Sequence, residues 1–118
     1  DEDDVRVLMK IMLERNGYEV IEAVDGKDAV DKFLRNEDKI QLMLFDVIMP
    51  AKSGRQAYDE IKKRRPDLKT PVLFMTGYSD DVVHKENIID SGLDFILKPV
   101  SPIRLLEKAR EVLDKSVN

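Results

Sequence analysis

The sequence predicts an α/β fold with a doubly wound parallel sheet, its helices lying on both faces. Three observations carry that prediction. Segments with apolar residues at helical spacing alternate along the chain with short apolar runs. The connections between them are short and built from Gly, Pro, Asp, Asn and Ser. Two of the runs, "QLMLF" at 41–45 and "PVLFM" at 71–75, lack polar alternation, as strands covered on both faces do. Helix-strand alternation with short loops implies parallel βαβ units.

Each element has its own warrant. Over residues 3–16, Val5, Leu8, Met9, Met12 and Leu13 fall on one helical face, and Asn16-Gly17 ends the helix. "YEVIEA" at 18–23 alternates as a half-buried or edge strand does. Asp25-Gly26 turns the chain and caps a second helix that carries Ala29, Val30, Phe33 and Leu34. After "QLMLF", a third helix near 55–65 ends in "KKRR", where cations suit the negative end of the helix dipole. Ser79-Asp80 opens a fourth helix with Val82, Val83, Ile88 and Ile89, in which His84 sits on a polar stretch and reads as solvated. "LDFIL" at 93–97 is the last strand. Ser101-Pro102, an N-cap followed by proline at the first helical position, starts the last helix, which runs to about residue 115.

Length and composition bound the rest. The 118 residues suit a single domain, 1–118, able to bury a core without staples. Hydrophobic residues are 42% and charged residues 37%. A net charge of −4 does not favour direct nucleic-acid binding. The lack of cysteine removes disulfides and thiolate metal sites and fits a reducing, cytoplasmic setting. No apolar run reaches the roughly 18 residues of a membrane span, so membrane insertion is not expected.

The chemistry gathers where such sheets bind ligands, beyond the carboxyl ends of the strands. "QLMLF" leads into Asp46, "PVLFM" into Thr76-Gly77, and "LDFIL" into Lys98-Pro99. Asp1 and Glu2 stand just before the first helix, where a preceding strand would end. Carboxylates, a hydroxyl and an ammonium thus converge from four segments. Carboxylate oxygens suit a hard cation such as Mg²⁺. Lys98 and Thr76 suit an anion beside it. Together they point to phosphoryl transfer, with Asp46 as the nucleophile. The residues also read more simply: "DEDD" at 1–4 as acids at a helix N-terminus, Asp46 as a turn former, and Phe95 as a core aromatic.

These residues resemble the receiver domain of two-component response regulators, the CheY-like family. "DVIMPAKSG" resembles the family's D-x-x-M-P-x-x-x-G loop, "TGY" its Thr/Ser-Gly/Ala pair, and "GLDFILKPV" its aromatic-x-x-Lys-Pro signature. "GYEVIEAVDGKDAV" resembles its second strand and the turn into its second helix. The resemblance covers essentially the whole chain. It implies a flavodoxin/CheY-like (βα)5 fold with strand order 2-1-3-4-5. It also implies that Asp46 accepts a phosphoryl group from a histidine kinase or a histidine phosphotransfer domain. On the same basis Asp1, Asp46 and the backbone carbonyl of Ile48 hold Mg²⁺, with Glu2 assisting through water. Thr76 and Lys98 contact the phosphoryl oxygens. Phe95 follows Thr76 and reshapes the face made by the fourth helix, the last strand and the last helix. Ile48 and Tyr78, each two residues beyond a site residue, are expected to gate hydrolysis of the acyl phosphate.

The family opens with an apolar strand ending in two acids. Aligning Asp1 with the second acid leaves that strand missing, so the chain is expected to lack the first strand of its sheet. The activity expected is that of a signalling switch, not of an enzyme beyond its own phosphorylation and dephosphorylation. A covalently linked kinase, as in a hybrid histidine kinase, a linked effector domain, and a phosphorylation-dependent dimer all stay open. A flavodoxin-like cofactor binder would need a phosphate-cradling loop where this chain has acids; two alternative functions stay open. One is a receiver-like interaction module that is not phosphorylated. The other is a Mg²⁺-dependent aspartyl-phosphate phosphatase, which needs a second Asp two positions after the nucleophile, where this chain has Ile48.

Overall fold

The computed structural model describes residues 2–46, 53–76, 93–98 and 100–117. In order they form α1 (Glu2–Arg15), α2 (Gly26–Asn36), β1 (Met43–Asp46), α3 (Gly54–Arg64), β2 (Val72–Thr76), β3 (Asp94–Leu97) and α4 (Pro102–Val117). The helix expected over 79–92 lies outside the described residues.

The helix ends follow their capping chemistry. Gly17, at φ 90°, closes α1, and the Tyr18 N–H reaches the Leu13 carbonyl at 3.0 Å. Asp25 caps α2 by accepting the Asp28 N–H at 2.8 Å. The Asp28 carboxylate returns the favour to the Val24 N–H at 3.0 Å. With Lys32 at 3.2 Å as a second partner, that backbone hydrogen bond holds the Asp28 carboxyl below its ordinary range. Ser53 and Gln56 form a reciprocal capping box at the head of α3, with bonds of 3.1 and 2.9 Å. Ser101 accepts the Arg104 N–H at 3.2 Å, one residue before Pro102 starts α4.

The three strands are parallel in the order β1-β2-β3. Met43 pairs with Val72 and Asp46 with Met75; Leu73 pairs with Asp94 and Thr76 with Leu97. Side chains alternate across the sheet, and both faces are covered. On one face Met43, Phe45, Val72 and Phe74 pack with Ala29, Val30 and Phe33 of α2 and Ala57 and Ile61 of α3. On the other, Leu73, Met75 and Ile96 pack with Leu105 and Val112 of α4, and Met9 and Leu13 of α1 lie against them. Every residue of β2 is buried. This is the doubly wound arrangement the periodicity predicts.

Two expectations change. Residues 18–23, predicted as a strand, have no ladder among the described residues. Their burial does alternate, Tyr18, Val20 and Glu22 half-buried and Glu19 and Ile21 exposed. A strand needs a hydrogen-bonded neighbour as well as a pattern. β1 is an edge of the described sheet. Leu8, placed on the apolar face of the first helix, is 52% exposed, together with exposed Val7 and Ile11. The observed order β1-β2-β3 matches the 3-4-5 portion of the expected sheet.

Candidate functional site

Parallel strands in register end on the same side of the sheet, and that brings the predicted residues together. Asp46 is the last residue of β1 and Thr76 the last of β2. Lys98 directly follows β3, and its backbone N–H is held by the Thr76 carbonyl at 2.8 Å. The Lys98 ammonium Nζ donates to Asp46 Oδ2 at 2.5 Å, across 52 residues of sequence. Both side chains are mostly shielded, at 26% and 19% exposure. Charge-assisted hydrogen bonds of this kind are short and strengthen as water is withdrawn. Thr76, 3% exposed, is the one buried polar residue in the core of the described residues. A carboxylate, a hydroxyl and an ammonium therefore share one edge, as expected.

Phe95 pairs with Phe74 in the β2–β3 ladder. It is half-buried against the α2/α3 side of the core, on the same sheet face as Thr76 two residues further along β2. Asp1, Ile48, Tyr78 and the Glu2 side chain lie outside the described residues; the Glu2 backbone opens α1. Among the described residues no three acidic or imidazole groups cluster around a common point. Of the expected Mg²⁺ ligands, Asp46 is described. Its carboxylate, at a partly open strand end, is the hard oxygen donor this ion takes, so the residues present fit the metal.

One contact at this edge was not anticipated. The chain returns to Asp46 eight residues later, at buried Gly54, the first residue of α3. A Cβ placed on Gly54 would stand 2.2 Å from the Asp46 carbonyl oxygen and 3.2 Å from Phe45 Cβ. The sequence carried a signal for this: a glycine directly after an N-cap serine, where residues of better helix propensity serve the helix itself.

The comparisons with known proteins agree with this geometry. The family model of the response regulator receiver domain matches residues 1–110. The chain is 31% identical over 115 residues to the sensor kinase CckA of Brucella abortus, and 28% identical over 116 residues to the transcriptional regulatory protein SrrA of Staphylococcus aureus. Each alignment covers 98% of this chain, but only 12% of CckA and 46% of SrrA. Among solved structures, a CheY-like receiver domain protein from Methanospirillum hungatei superposes with a TM-score of 0.82 at 30% identity, covering 98% of this chain and 89% of that one.

Proposed function

Because the chain belongs to the response regulator receiver family, we propose that it is the phosphoacceptor module of a two-component phosphorelay, with Asp46 as the acceptor. The observation that carries this reading is the Lys98 ammonium seated 2.5 Å from the Asp46 carboxylate, beside the strand that ends in buried Thr76. The donor is the phosphohistidine of a histidine kinase or a histidine phosphotransfer domain. An Asp46 carboxylate oxygen attacks the phosphorus. The P–N bond to the donor imidazole breaks, and a P–O bond to Asp46 forms. Most of the catalysis is placement and charge neutralisation.

Mg²⁺, when bound, supplies part of that neutralisation; Asp46, Asp1 and the Ile48 carbonyl would hold it, with Glu2 acting through water. This chain's own residues supply the rest. Lys98 exchanges its carboxylate partner for a phosphoryl oxygen. The Thr76 hydroxyl donates to another. Phe95 follows Thr76 and reports the change to the outer surface of β3 and α4. The module is a switch acting in the cytoplasm, with no turnover beyond its own phosphorylation and dephosphorylation. Its output is carried by whatever protein it is linked to or docks on.

The test is incubation with Mg²⁺ and acetyl phosphate followed by intact-mass measurement. One phosphoryl group is expected on the wild-type chain and none on Asp46→Asn. An equal gain in that variant would remove Asp46 from the role.

A further inference from the structure

We propose that Gly54 is the positioning residue of the phosphoacceptor: the space left by its absent side chain seats the Asp46 carbonyl, and that seat keeps the Asp46 carboxylate on Lys98. The proposal rests on the reading of Asp46 as the acceptor.

The geometry is local and backbone-to-backbone. A Cβ on Gly54 would lie 2.2 Å from the Asp46 carbonyl oxygen and 3.0 Å from its carbonyl carbon. Neither atom is a flexible side-chain tip that can swing aside. With glycine, the hydrogen in place of Cβ points at the carbonyl oxygen, a weak but favourable contact. Among the described glycines, positive φ is found at Gly17 and not at Gly54. Close approach, not backbone conformation, is what demands glycine here.

Any side chain at 54 must therefore push α3 and the end of β1 apart. Helix α3 is pinned: Ala57 and Ile61 are completely buried, and the Ser53–Gln56 box fixes its first turn. Strand β1 is pinned up to Phe45, which is buried in the same core. Asp46 is the last rung of the ladder, paired with Met75, and follows the buried anchor Phe45. The displacement falls on Asp46. Its carboxylate partner Lys98 is anchored separately, through its own N–H to Thr76. The two then separate, and the acceptor oxygen leaves its productive position. A misplacement of about 1 Å costs as much as about a hundredfold in rate.

Gly17→Ala is the matched control. Gly17 sits at φ 90° with nothing within 4 Å, so its alanine variant strains the backbone without touching the site. Wild type, Gly54→Ala and Gly17→Ala are compared by acetyl phosphate labelling and by the backbone amide NMR signals of Asp46 and Lys98. Gly54→Ala is expected to slow labelling by roughly tenfold or more and to shift both signals, while the α4 signals from Leu105 to Val112 stay in place. Gly17→Ala is expected to label at the wild-type rate. Labelling of Gly54→Ala within about twofold of Gly17→Ala, or unmoved Asp46 and Lys98 signals, would overturn the proposal. So would a Gly54→Ala chain that is unfolded where Gly17→Ala is folded, since the contact would then belong to the fold and not to the site. A wild-type chain that takes no phosphoryl group counts against the acceptor reading, and the two NMR signals still decide the role of Gly54.

Discussion

Lys98 Nζ and Asp46 Oδ2 stand 2.5 Å apart, joined across the carboxyl edge of the sheet although β2 lies between their strands. The lysine thus holds the carboxylate proposed as the phosphoacceptor before any phosphoryl group arrives. It would share that carboxylate with Mg²⁺, and two cations on one carboxylate repel each other.

Removing the ammonium should therefore leave Mg²⁺ affinity unchanged or tighter, while the phosphorylation-dependent change is lost. Lys98→Ala is expected to label on Asp46 but to show no change in amide exchange along β3 and α4. Titration calorimetry with Mg²⁺ checks the first half. A weakening beyond about tenfold, equal to about 1.4 kcal/mol, would place Lys98 in metal binding instead.

The lifetime of the signal should depend on Ile48 and Tyr78, which lie outside the described residues. Hydrolysis of an acyl phosphate needs water placed in line behind phosphorus. Isoleucine gives that water no hydrogen bond. A tyrosine, with an ordinary pKa near 10, is no general base at neutral pH. Slow self-dephosphorylation is expected. Ile48→Asn combined with Tyr78→Glu should speed it by roughly tenfold or more, about 1.4 kcal/mol of barrier. Phosphate loss after removal of the donor measures this, and an unchanged half-life in a folded double variant would free both side chains of the role.

Acid should weaken the head of α2 through Asp28. The Val24 N–H and then Lys32 hold its carboxyl below the ordinary 3.8. A carboxyl depressed in the folded state contributes stability above its unfolded pKa and loses it as pH falls through the folded value. Asp28→Asn is thus expected to lower the denaturant midpoint at pH 7, with the gap from wild type closing toward about pH 2. A gap that widened on acidification would contradict the assignment.

Much of the molecule was legible because local patterns and local chemistry specify it. The caps at Asp25 and Ser101 satisfy backbone N–H groups three residues away, so their sequence signatures suffice. "PVLFM" announced a strand buried on both faces, and β2 is buried throughout. Asp46, Thr76 and Lys98 could be assigned to one edge because parallel strands must end together.

Tertiary structure decided what pattern alone cannot. Residues 18–23 carry a strand's alternation but no ladder among the described residues, because pairing depends on what lies alongside and not on the segment itself. The face of α1 was read as core, yet Leu8 stands exposed for the same reason: burial belongs to a pair of surfaces. The fit of Gly54 against the Asp46 carbonyl is a distance between two backbones, set by how α3 seats on the sheet. A glycine in the sequence shows only that a side chain is absent. The packing of α3 through Ala57 and Ile61 determines that the vacated space is filled by the carbonyl of Asp46, the proposed phosphoacceptor.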